Sequence, residues 1–576
     1  MHPIARRPGL LARHLFRFLL AALMFGCAPA ETAEPGLRFE ISFPSAVHAQ
    51  PITGRLFVMI SRTNEPEVRL QRTWFNSPEM IGVDVTRLEP GHAAMVDAAV
   101  LGTPLRSVNE IPPGDYYVQA VLNVYTEFHR ADGHVLWAHM DQGEGQQFNK
   151  SPGNLFSKVS KLHLDRAGTF SLSLSEVVPP LEPTVDTKWV KHIRLQSDLL
   201  TRFWGRPIYL SAVVLLPKDY AAHPGVYFPV IYYQPEHFRS FPPFEFRTDN
   251  PAETDTERRR REIAGFESGY EFSQAWRSEH FPRMIAVSVQ TPTPLSDWSG
   301  GVDSANNGPY GEAIVKELIP SIERRFRIVR QPFARVLTGK HSAGRSALAL
   351  QLQHADFFGG AWIFHPWPFS FQRYFGLDIY ENDNAFIVKS TDIPLWARNP
   401  SEWLPVERYF TRSMSGIPLV SFRQVSQHDS VMAGMAGGDP IGADDAILGP
   451  VGSNGYPRPL WSRTTGQIDR EVADFWREHA DLAYYAQTNW SKIGPQLDGK
   501  LHFYVGDMDE FYRNAGVHLF EEFLQTTQQP HCAASFVYGT LDSGHQPMGN
   551  AELVRMMAEH IRKHAPKDAA MTWMSY

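Results

Sequence analysis

A chain of 576 residues with 43% hydrophobic and 20% charged residues is long enough for two or more domains with buried cores. This composition excludes a disordered or fibrous protein, and the formal net charge of −7 supplies no basic field for nucleic acid. The chain has two cysteines, Cys27 and Cys532, which excludes a disulfide framework and a zinc site built on cysteine.

The N-terminus has the pattern of an export signal. Basic residues up to Arg13 precede the apolar run 18–26, which is too short to span a bilayer. Two processing routes fit: the A-x-A pattern at 28–30 is typical of ordinary secretion, whereas 24–27 resembles a bacterial lipoprotein signal in which Cys27 becomes lipidated. We therefore expect residues 1–30 to be a signal peptide. The mature protein would be periplasmic or extracellular, and its only membrane link would be a lipid on Cys27.

Strict alternation of apolar and polar residues dominates the part of the chain after the signal. Leu37, Phe39 and Ile41 alternate with polar residues, and 116–124 and 170–174 repeat the pattern. Alternation of this kind is typical of strands with one buried face, and several such strands predict a β-sandwich domain over 36–178. No titratable cluster there indicates chemistry, so a packing role and a carbohydrate-binding or partner-binding role both stay open. Prolines then stiffen a linker over 179–185.

From residue 186 to 576 the pattern is that of an α/β domain. Continuous apolar runs at 212–216, 230–233 and 285–289 are typical of strands buried on both faces, and amphipathic stretches such as 313–326 lie between them. They predict a mostly parallel sheet flanked by helices. A stretch rich in Gly, Pro and aromatic residues, at about 369–495, predicts an insertion that covers the site. Its aromatic residues Trp403, Tyr456 and Trp461 either line a pocket or pack in the core.

The strongest local motif is a β-prone run from Arg335, then a turn with Gly339 and Ser342, then the helical stretch 345–352. Strand, sharp turn with serine, and helix form a nucleophile elbow. We predict that Ser342 lies at the strained tip as nucleophile and that the Ala343 N–H stabilises the oxyanion.

Two residues before this serine differ from the usual G-x-S-x-G pattern. Lys340 takes the place of the first glycine, and Gly339 lies one residue earlier. His341 is expected to be part of the pocket wall, because neighbouring side chains at an elbow point apart.

Chain order supplies the other members of a triad. A buried-strand pattern at 500–505 leads to Asp507 and Asp509, and a later strand leads to His545. The order serine, acid, histidine is that of α/β-hydrolases, so we predict Asp509 as the acid, with Asp507 as the alternative, and His545 as the base.

The remaining site predictions concern the oxyanion loop, other histidines and metals. The second oxyanion donor is expected to be a backbone N–H near His237, after the strand 230–233. His365 and His428 are expected to be structural. There is no H-E-x-x-H or comparable motif, so neither a metal nor an organic cofactor is expected.

Several further motifs follow one another along the chain: 310–314 with 317–320, Thr338-Gly339, 356–362, Gly506-Asp507-Met508-Asp509 and Ser543-Gly544-His545. Through these motifs the chain, over about residues 186–562, resembles the esterase family related to esterase D. This family includes enterochelin, feruloyl and acetylxylan esterases and S-formylglutathione hydrolases, and the chain is most similar to its large exported bacterial members. The resemblance implies an α/β-hydrolase fold with Ser342 as nucleophile, Asp509 as acid and His545 as base. Lys340, His341 and Glu236 depart from the small residues common in relatives.

These observations predict an exported serine esterase that works through an acyl-enzyme. Its substrate would be a small-molecule or carbohydrate-linked ester, and no nucleic acid would take part. Two alternatives stay open. One is an acyltransferase or peptidase on the same fold. The other is a catalytically inactive binding protein in which Lys340 disrupts the elbow.

Overall fold

The computed structural model describes residues 36–72, 77–234, 241–388, 406–433, 441–528, 530–539 and 547–574. The predicted signal peptide with Cys27 lies outside the described residues, as do His237, Trp403 and His545. Within the described ranges, no helix is long and apolar enough to cross a membrane.

Residues 36–178 form two sheets and one hairpin. One sheet has the order β11-β1-β4, the other has β12-β9-β6-β2-β3-β5 with β10 paired to β6, and β7 pairs with β8. The strands are Leu37–Ser42 (β1), Ile52–Ser61 (β2), Glu79–Leu88 (β3), Ala94–Val96 (β4), Gly102–Thr103 (β5), Gly114–Val124 (β6), Thr126–His129 (β7), Val135–Ala138 (β8), Leu155–Phe156 (β9), Ser160–Leu164 (β10), Gly168–Ser173 (β11) and Glu176–Val177 (β12).

The two N-terminal sheets share an apolar core. Alternate residues of β1, such as Phe39 and Ile41, are buried in one cluster with Leu56 and Val58 of β2. The opposite face of β2 is also buried, because Phe57 packs in a separate cluster. The alternation seen in the sequence therefore marks the residues that face between the sheets.

The β7–β8 hairpin packs against the second part of the chain rather than between the N-terminal sheets. The Phe128 ring lies 5.2 Å from that of Trp204 and belongs to the main core cluster. Two buried arginines add polar contacts: Arg55 donates to the Val431 carbonyl at 2.8 Å, and Arg130 donates to that of Gly455 at 3.0 Å. The two parts of the chain are therefore joined by a packed, hydrogen-bonded contact.

The second part of the chain contains one large sheet and several short strand pairs. Its strands are Val190–Ser197 (β13), Ile208–Leu215 (β14), Val230–Gln234 (β15), Ile285–Gln290 (β16), Asp303–Ser304 (β17), Gly308–Pro309 (β18), Arg335–Lys340 (β19), Gly360–Phe364 (β20), Ile387–Val388 (β21), Val406–Glu407 (β22), Tyr409–Arg412 (β23), Pro418–Ser421 (β24), Leu501–Gly506 (β25) and Ala534–Gly539 (β26).

Helices flank this sheet and fill the insertion between β20 and β25. A π-helical stretch, Ile314–Leu318, joins α4 to α5. The helices are Asp198–Trp204 (α1), Asp255–Ile263 (α2), Gly269–Trp276 (α3), Tyr310–Ala313 (α4), Ile319–Arg325 (α5), Ser342–Gln353 (α6), Phe422–Ala433 (α7), Ile441–Leu448 (α8), Arg470–His479 (α9), Leu482–Leu497 (α10), Arg513–Thr526 (α11) and Asn550–His564 (α12).

The eight-stranded sheet has the order β13-β14-β16-β15-β19-β20-β25-β26. Only β14 runs antiparallel to its neighbours, and the other pairings in the sheet are parallel. When these eight strands are renumbered 1 to 8 in chain order, their order across the sheet is 1-2-4-3-5-6-7-8, which is that of the α/β-hydrolase fold. The predicted α/β-hydrolase fold is therefore confirmed for this sheet. Ligands of such sheets bind at the carboxyl ends of the parallel strands, which directs attention to the residues after β15, β19, β20 and β25.

Two aromatic residues of the insertion have structural contacts. Trp461 is fully buried in the main core, and its indole N–H donates to Ser426 Oγ at 3.0 Å. The Tyr456 hydroxyl donates to the Trp137 carbonyl of β8 at 3.0 Å. Both residues therefore pack the insertion onto its surroundings.

His502 of β25 and His560 of α12 form a largely buried imidazole pair against Trp362. Their ring centroids lie 5.4 Å apart, and burial lowers the pKa of both imidazoles to about 4. The usual pKa is about 6.5, so unfolding takes up protons as the pH falls below that value. Stability is therefore fully present above about pH 6.5 and is lost as the pH falls toward 4.

We expect the midpoint of thermal unfolding to fall by several degrees between pH 7 and pH 5. Each imidazole contributes a slope of up to about 1.4 kcal/mol per pH unit. His502→Phe keeps a ring stacked on Trp362, whose centroid lies 4.5 Å from that of His502, and should flatten the profile. An unchanged slope in this variant would refute the assignment.

Candidate active site at the carboxyl edge of the sheet

The turn between β19 and α6 is a strained elbow whose tip is His341. Its backbone angles are φ 55° and ψ −121°, in a region that residues with side chains rarely adopt. Two hydrogen bonds fix the turn: the His341 N–H donates to the Phe364 carbonyl, and the Trp367 N–H donates to the His341 carbonyl, both at 2.9 Å. Strand, strained turn and helix are therefore all present, as the sequence predicts.

The prediction that Ser342 occupies the strained tip is wrong. Ser342 is the first residue of α6, is buried and follows the tip by one position. The pattern is Gly339-Lys340-His341-Ser342-Ala343, so Gly339, not Lys340, holds the first glycine position. The backbone position of Ser342 does not by itself decide whether its hydroxyl is the nucleophile, and that role stays a prediction.

The reason for this register is the close crossing of strand and helix. A Cβ on Gly339 would lie 2.3 Å from the Ala343 carbonyl oxygen, and one on Gly344 would lie 2.8 Å from that of Phe364. Glycine is therefore required two residues before the tip and three residues after it. The glycine spacing, rather than the serine, marks the tip residue.

Gly339→Ala should destabilise the protein by about 2–3 kcal/mol, because the added methyl group forces β19 and α6 apart. The free energy of unfolding in urea measures this loss. Gly225→Ala is the matched control, since a Cβ there meets nothing within 4 Å. Substitutions at surface positions usually change the free energy of unfolding by less than about 0.5 kcal/mol. A change of that size in Gly339→Ala would show that strand and helix do not cross as described.

The predicted oxyanion donors lie at the start of α6 and in the loop after β15. Ala343 is the second residue of α6, and the first N–H groups of a helix have no acceptor within the helix. With His341 at the tip, the N–H that directly follows it is that of Ser342. The donor role of Ala343 stays a prediction, and His237 lies outside the described residues.

Asp509 is a fully buried carboxylate in the turn after β25. Its Oδ1 accepts the N–H groups of Phe511 at 3.0 Å and Arg513 at 3.1 Å, and also Arg513 Nε at 2.9 Å. Its Oδ2 lies 3.3 Å from His365 Nδ1. Burial alone would raise the pKa of this carboxyl, but Arg513 and His365 outweigh burial and hold the pKa far below its usual range.

The alternative acid, Asp507, lies in a different environment. Its side chain is half exposed, and Oδ1 lies 3.8 Å from His518 Nε2. Asp509 is thus the acid that points into the protein, although its catalytic role stays a prediction. The predicted base, His545, lies outside the described residues.

His365 follows β20, beside the elbow, and is the described histidine that contacts Asp509. Its ring centroid lies 6.1 Å from that of His341. Burial lowers the pKa of His365, and Asp509 opposes this shift. A neutral imidazole that donates from Nδ1 to the carboxylate has Nε2 left as an acceptor. His341, His365 and Asp509 therefore lie in a row at the carboxyl edge.

The sequence does not predict this row of side chains, since His341 is expected in the pocket wall and His365 is expected to be structural. The position of His365 directly after the apolar run 360–364, one strand along from the elbow, is the signal that could have found it.

A cavity of about 1150 Å³ opens beside the elbow strand. Thr338, Gly339 and Lys340 line it together with several aromatic rings, and Lys340 Nζ lies 4.8 Å from the ring centroid of Phe266. This volume exceeds that of most small-molecule pockets. Among the described residues, no three His, Cys, Asp or Glu side chains are grouped so as to hold a metal ion.

No protein-family model matches the sequence, and no curated protein sequence does either. Several solved structures are similar to it. A ferulic acid esterase is 14% identical, with 65% of this chain and 97% of that chain covered and a TM-score of 0.35. A fluorophosphonate-binding serine hydrolase of Staphylococcus aureus, with substrate bound, is 12% identical over 65% and 98%, with a TM-score of 0.33.

An S-formylglutathione hydrolase from Agrobacterium tumefaciens is 12% identical over 66% of this chain and 96% of that chain, with a TM-score of 0.32. Identities and scores of this size say nothing about the reaction. The fold assignment rests on the strand order and on the elbow.

Proposed function

We propose that this protein hydrolyses carboxylic esters at the elbow between β19 and α6. The observation that carries the proposal is the strained backbone of His341 at the carboxyl end of the fifth strand of an α/β-hydrolase sheet. Such a turn lifts one side chain out of the sheet edge and places it at a helix N-terminus, where negative charge on a reacting carbonyl oxygen is stabilised.

His341 is the reacting group in this proposal. Its neutral imidazole takes a proton from a water molecule as the water oxygen attacks the ester carbonyl carbon. N–H groups of Ser342 and Ala343 stabilise the resulting oxyanion. The tetrahedral species then expels the alcohol, which takes up the proton from the imidazolium, and the acid is released. His365, oriented by Asp509, is a positioning residue beside His341.

The triad Ser342, Asp509 and His545 is the rival assignment for the same overall reaction. In it, Ser342 Oγ attacks the carbonyl carbon, His545 accepts the proton, and water later releases the acid from an acyl-enzyme. Since Ser342 lies in the first turn of α6, this route needs attack from the helix rather than from the tip.

The substrate class and location are part of the proposal. The cavity beside Lys340 has room for a small-molecule or carbohydrate-linked ester. We further propose that residues 1–30 direct export to the periplasm or beyond, with or without a lipid on Cys27. Residues 36–178 would act as a β-sandwich domain that positions the hydrolase part.

The test is hydrolysis of p-nitrophenyl acetate and butyrate by the mature protein and by the double variant His341→Ala/Ser342→Ala. Both candidate groups are then absent, while the glycines that allow the elbow remain. We expect the rate of the double variant to fall to that of buffer. Equal rates in both proteins would contradict the proposal.

A ligand-binding protein without hydrolytic activity is the second candidate. The observation that favours it is histidine, rather than serine, at the tip of the elbow. Absence of hydrolysis by the unmodified protein across acyl lengths, together with calorimetric binding of a non-hydrolysable ester analogue, would establish it.

A further inference from the structure

The β23–β24 hairpin of the insertion ends in a solvent-exposed apolar turn. Six consecutive residues, 414–419, are exposed and form what we call the apolar tip. Three of them have large apolar side chains: Met414 is 51% exposed, Ile417 60% and Leu419 56%. Single exposed apolar side chains are normal on a protein surface, whereas several at one place often mark an interaction site.

The backbone of the apolar tip is ordered by hydrogen bonds within the hairpin. The Ser413 N–H donates to the Ile417 carbonyl at 2.8 Å, and the Gly416 N–H donates to the Ser413 carbonyl at 2.9 Å. The Ile417 N–H donates to Ser413 Oγ at 3.1 Å, and Pro418 has no N–H. Because these N–H groups already have acceptors, moving the tip into a less polar environment does not leave them unpaired.

The hairpin is attached to the carboxyl edge of the large sheet through Arg412. Its N–H donates to the Glu510 carbonyl at 2.9 Å. Its guanidinium donates to the carbonyls of Asp509 at 3.1 Å and Asp507 at 3.2 Å, and lies 4.5 Å from the ring centroid of Tyr512. Whatever contacts the apolar tip is therefore held close to the turn that carries Asp509.

The hairpin also carries positive charge. The segment 408–423 contains three arginines, Arg408, Arg412 and Arg423, and no acidic residue. Among the described residues, no carboxylate pairs with Arg412, whose donors bond carbonyl oxygens. Arg423 Nε lies 3.7 Å from Glu407 Oε1, but both side chains are well exposed, so water weakens this pair. The contact partner of the tip is thus expected to combine an apolar interior with negative charge.

The size and the edge of the hairpin disfavour a protein partner. At the exposed fractions given above, the three apolar side chains present roughly 300 Å² together, well below the about 800 Å² per partner that a stable protein interface usually buries. β24 pairs with β23 in a sheet of two strands, and Pro418 cannot donate to a further strand. A lipid surface needs neither a large matching area nor a free strand edge.

We propose that the apolar tip inserts into the surface of a membrane that contains anionic phospholipids. Met414, Ile417 and Leu419 enter the boundary between headgroups and acyl chains, while Arg412 and Arg423 lie at the level of the headgroups. Binding of this kind gains strength from buried apolar area and from attraction to anionic lipids. It would hold the carboxyl edge of the sheet, with the proposed reaction site, near the membrane surface.

Co-sedimentation with vesicles tests this proposal without measuring hydrolysis. The mature protein, residues 31–576, lacks Cys27 and so carries no lipid there. We expect it to bind vesicles of equal parts phosphatidylglycerol and phosphatidylcholine, to bind phosphatidylcholine alone more weakly, and to be released from the mixed vesicles by added salt. The double variant Ile417→Ser/Leu419→Ser should bind at least about tenfold more weakly, because both side chains lose their apolar surface.

Ile263→Ser is the matched control, since Ile263 lies in α2 and is 70% exposed. It should bind vesicles as the unmodified protein does, and the midpoint of thermal unfolding should stay the same in all variants because the changes are at the surface. Absence of vesicle binding by the unmodified protein, or equal binding by the double variant, would overturn the proposal. A dimer in analytical ultracentrifugation that the double variant abolishes would assign the tip to a second copy of the chain instead.

Discussion

His341→Ala should reduce kcat/KM for p-nitrophenyl butyrate by about 10²–10⁴-fold, the usual contribution of a general base. The physical reason is position, since the strained turn presents the side chain at 341 and not the one at 342. Steady-state kinetics of the purified variant measure the effect. Gly339 and Gly344, which allow the close crossing of β19 and α6, are unchanged in this variant.

Ser342→Ala is the matched control for this change, because it removes a hydroxyl from the next residue. We expect its kcat/KM to stay within about threefold of the unmodified value, because the Ser342 hydroxyl takes no part in the proposed reaction and one neutral hydrogen bond contributes little. The reverse pattern, with loss in Ser342→Ala and activity in His341→Ala, would restore the serine as nucleophile.

Asp509→Ala should cost about 3–5 kcal/mol of stability, the usual penalty for removing one partner of a buried ion pair. The Arg513 side chain is fully buried and would lose the carboxylate that accepts its Nε. The N–H of Phe511 would lose its acceptor too. Urea denaturation with a constant m-value measures the change.

Asp507→Ala is the control for this prediction, because that side chain is half exposed and should change stability by less than about 0.5 kcal/mol. The depressed pKa of Asp509 also fixes a sign: its contribution is present above about pH 4 and is lost as the pH falls below that value. Equal costs at 507 and 509 would show that the pair with Arg513 contributes little.

The large sheet could be predicted from the sequence because its strands are buried on both faces. Continuous apolar runs at 212–216, 230–233 and 285–289 became β14, β15 and β16. The amphipathic stretch 313–326, which predicts a helix, forms most of the helical segment that ends at Arg325. Burial imposes these patterns directly, so hydrophobicity alone carries the information.

The tip of the elbow does not follow from residue chemistry, because backbone sterics decide which residue occupies it. Ser342 has the hydroxyl expected of a nucleophile, whereas the His341 side chain is large for a tight turn. The decisive constraint is the contact between Gly339 and the Ala343 carbonyl, which lies between a strand and a helix and appears only when both are placed.

The sequence places Asp509 directly after a buried strand, but it does not reveal the histidine that contacts Asp509. Asp509 could be chosen over Asp507 because it stands at the last position of the Gly506–Asp509 turn. Its pairing with His365 could not be foreseen, since 144 residues separate them and the insertion lies between their strands. Only the parallel pairing of β20 with β25 brings the two together.

Labelling with a fluorophosphonate probe, followed by mass-spectrometric mapping of the peptide around 335–352, tests the central claim most directly. The probe reacts with an activated serine, so the result shows whether the elbow presents one. With His341 at the tip, we predict ester hydrolysis without phosphonylation of Ser342. Stoichiometric label on Ser342, abolished in Ser342→Ala, would contradict the account and establish a serine nucleophile.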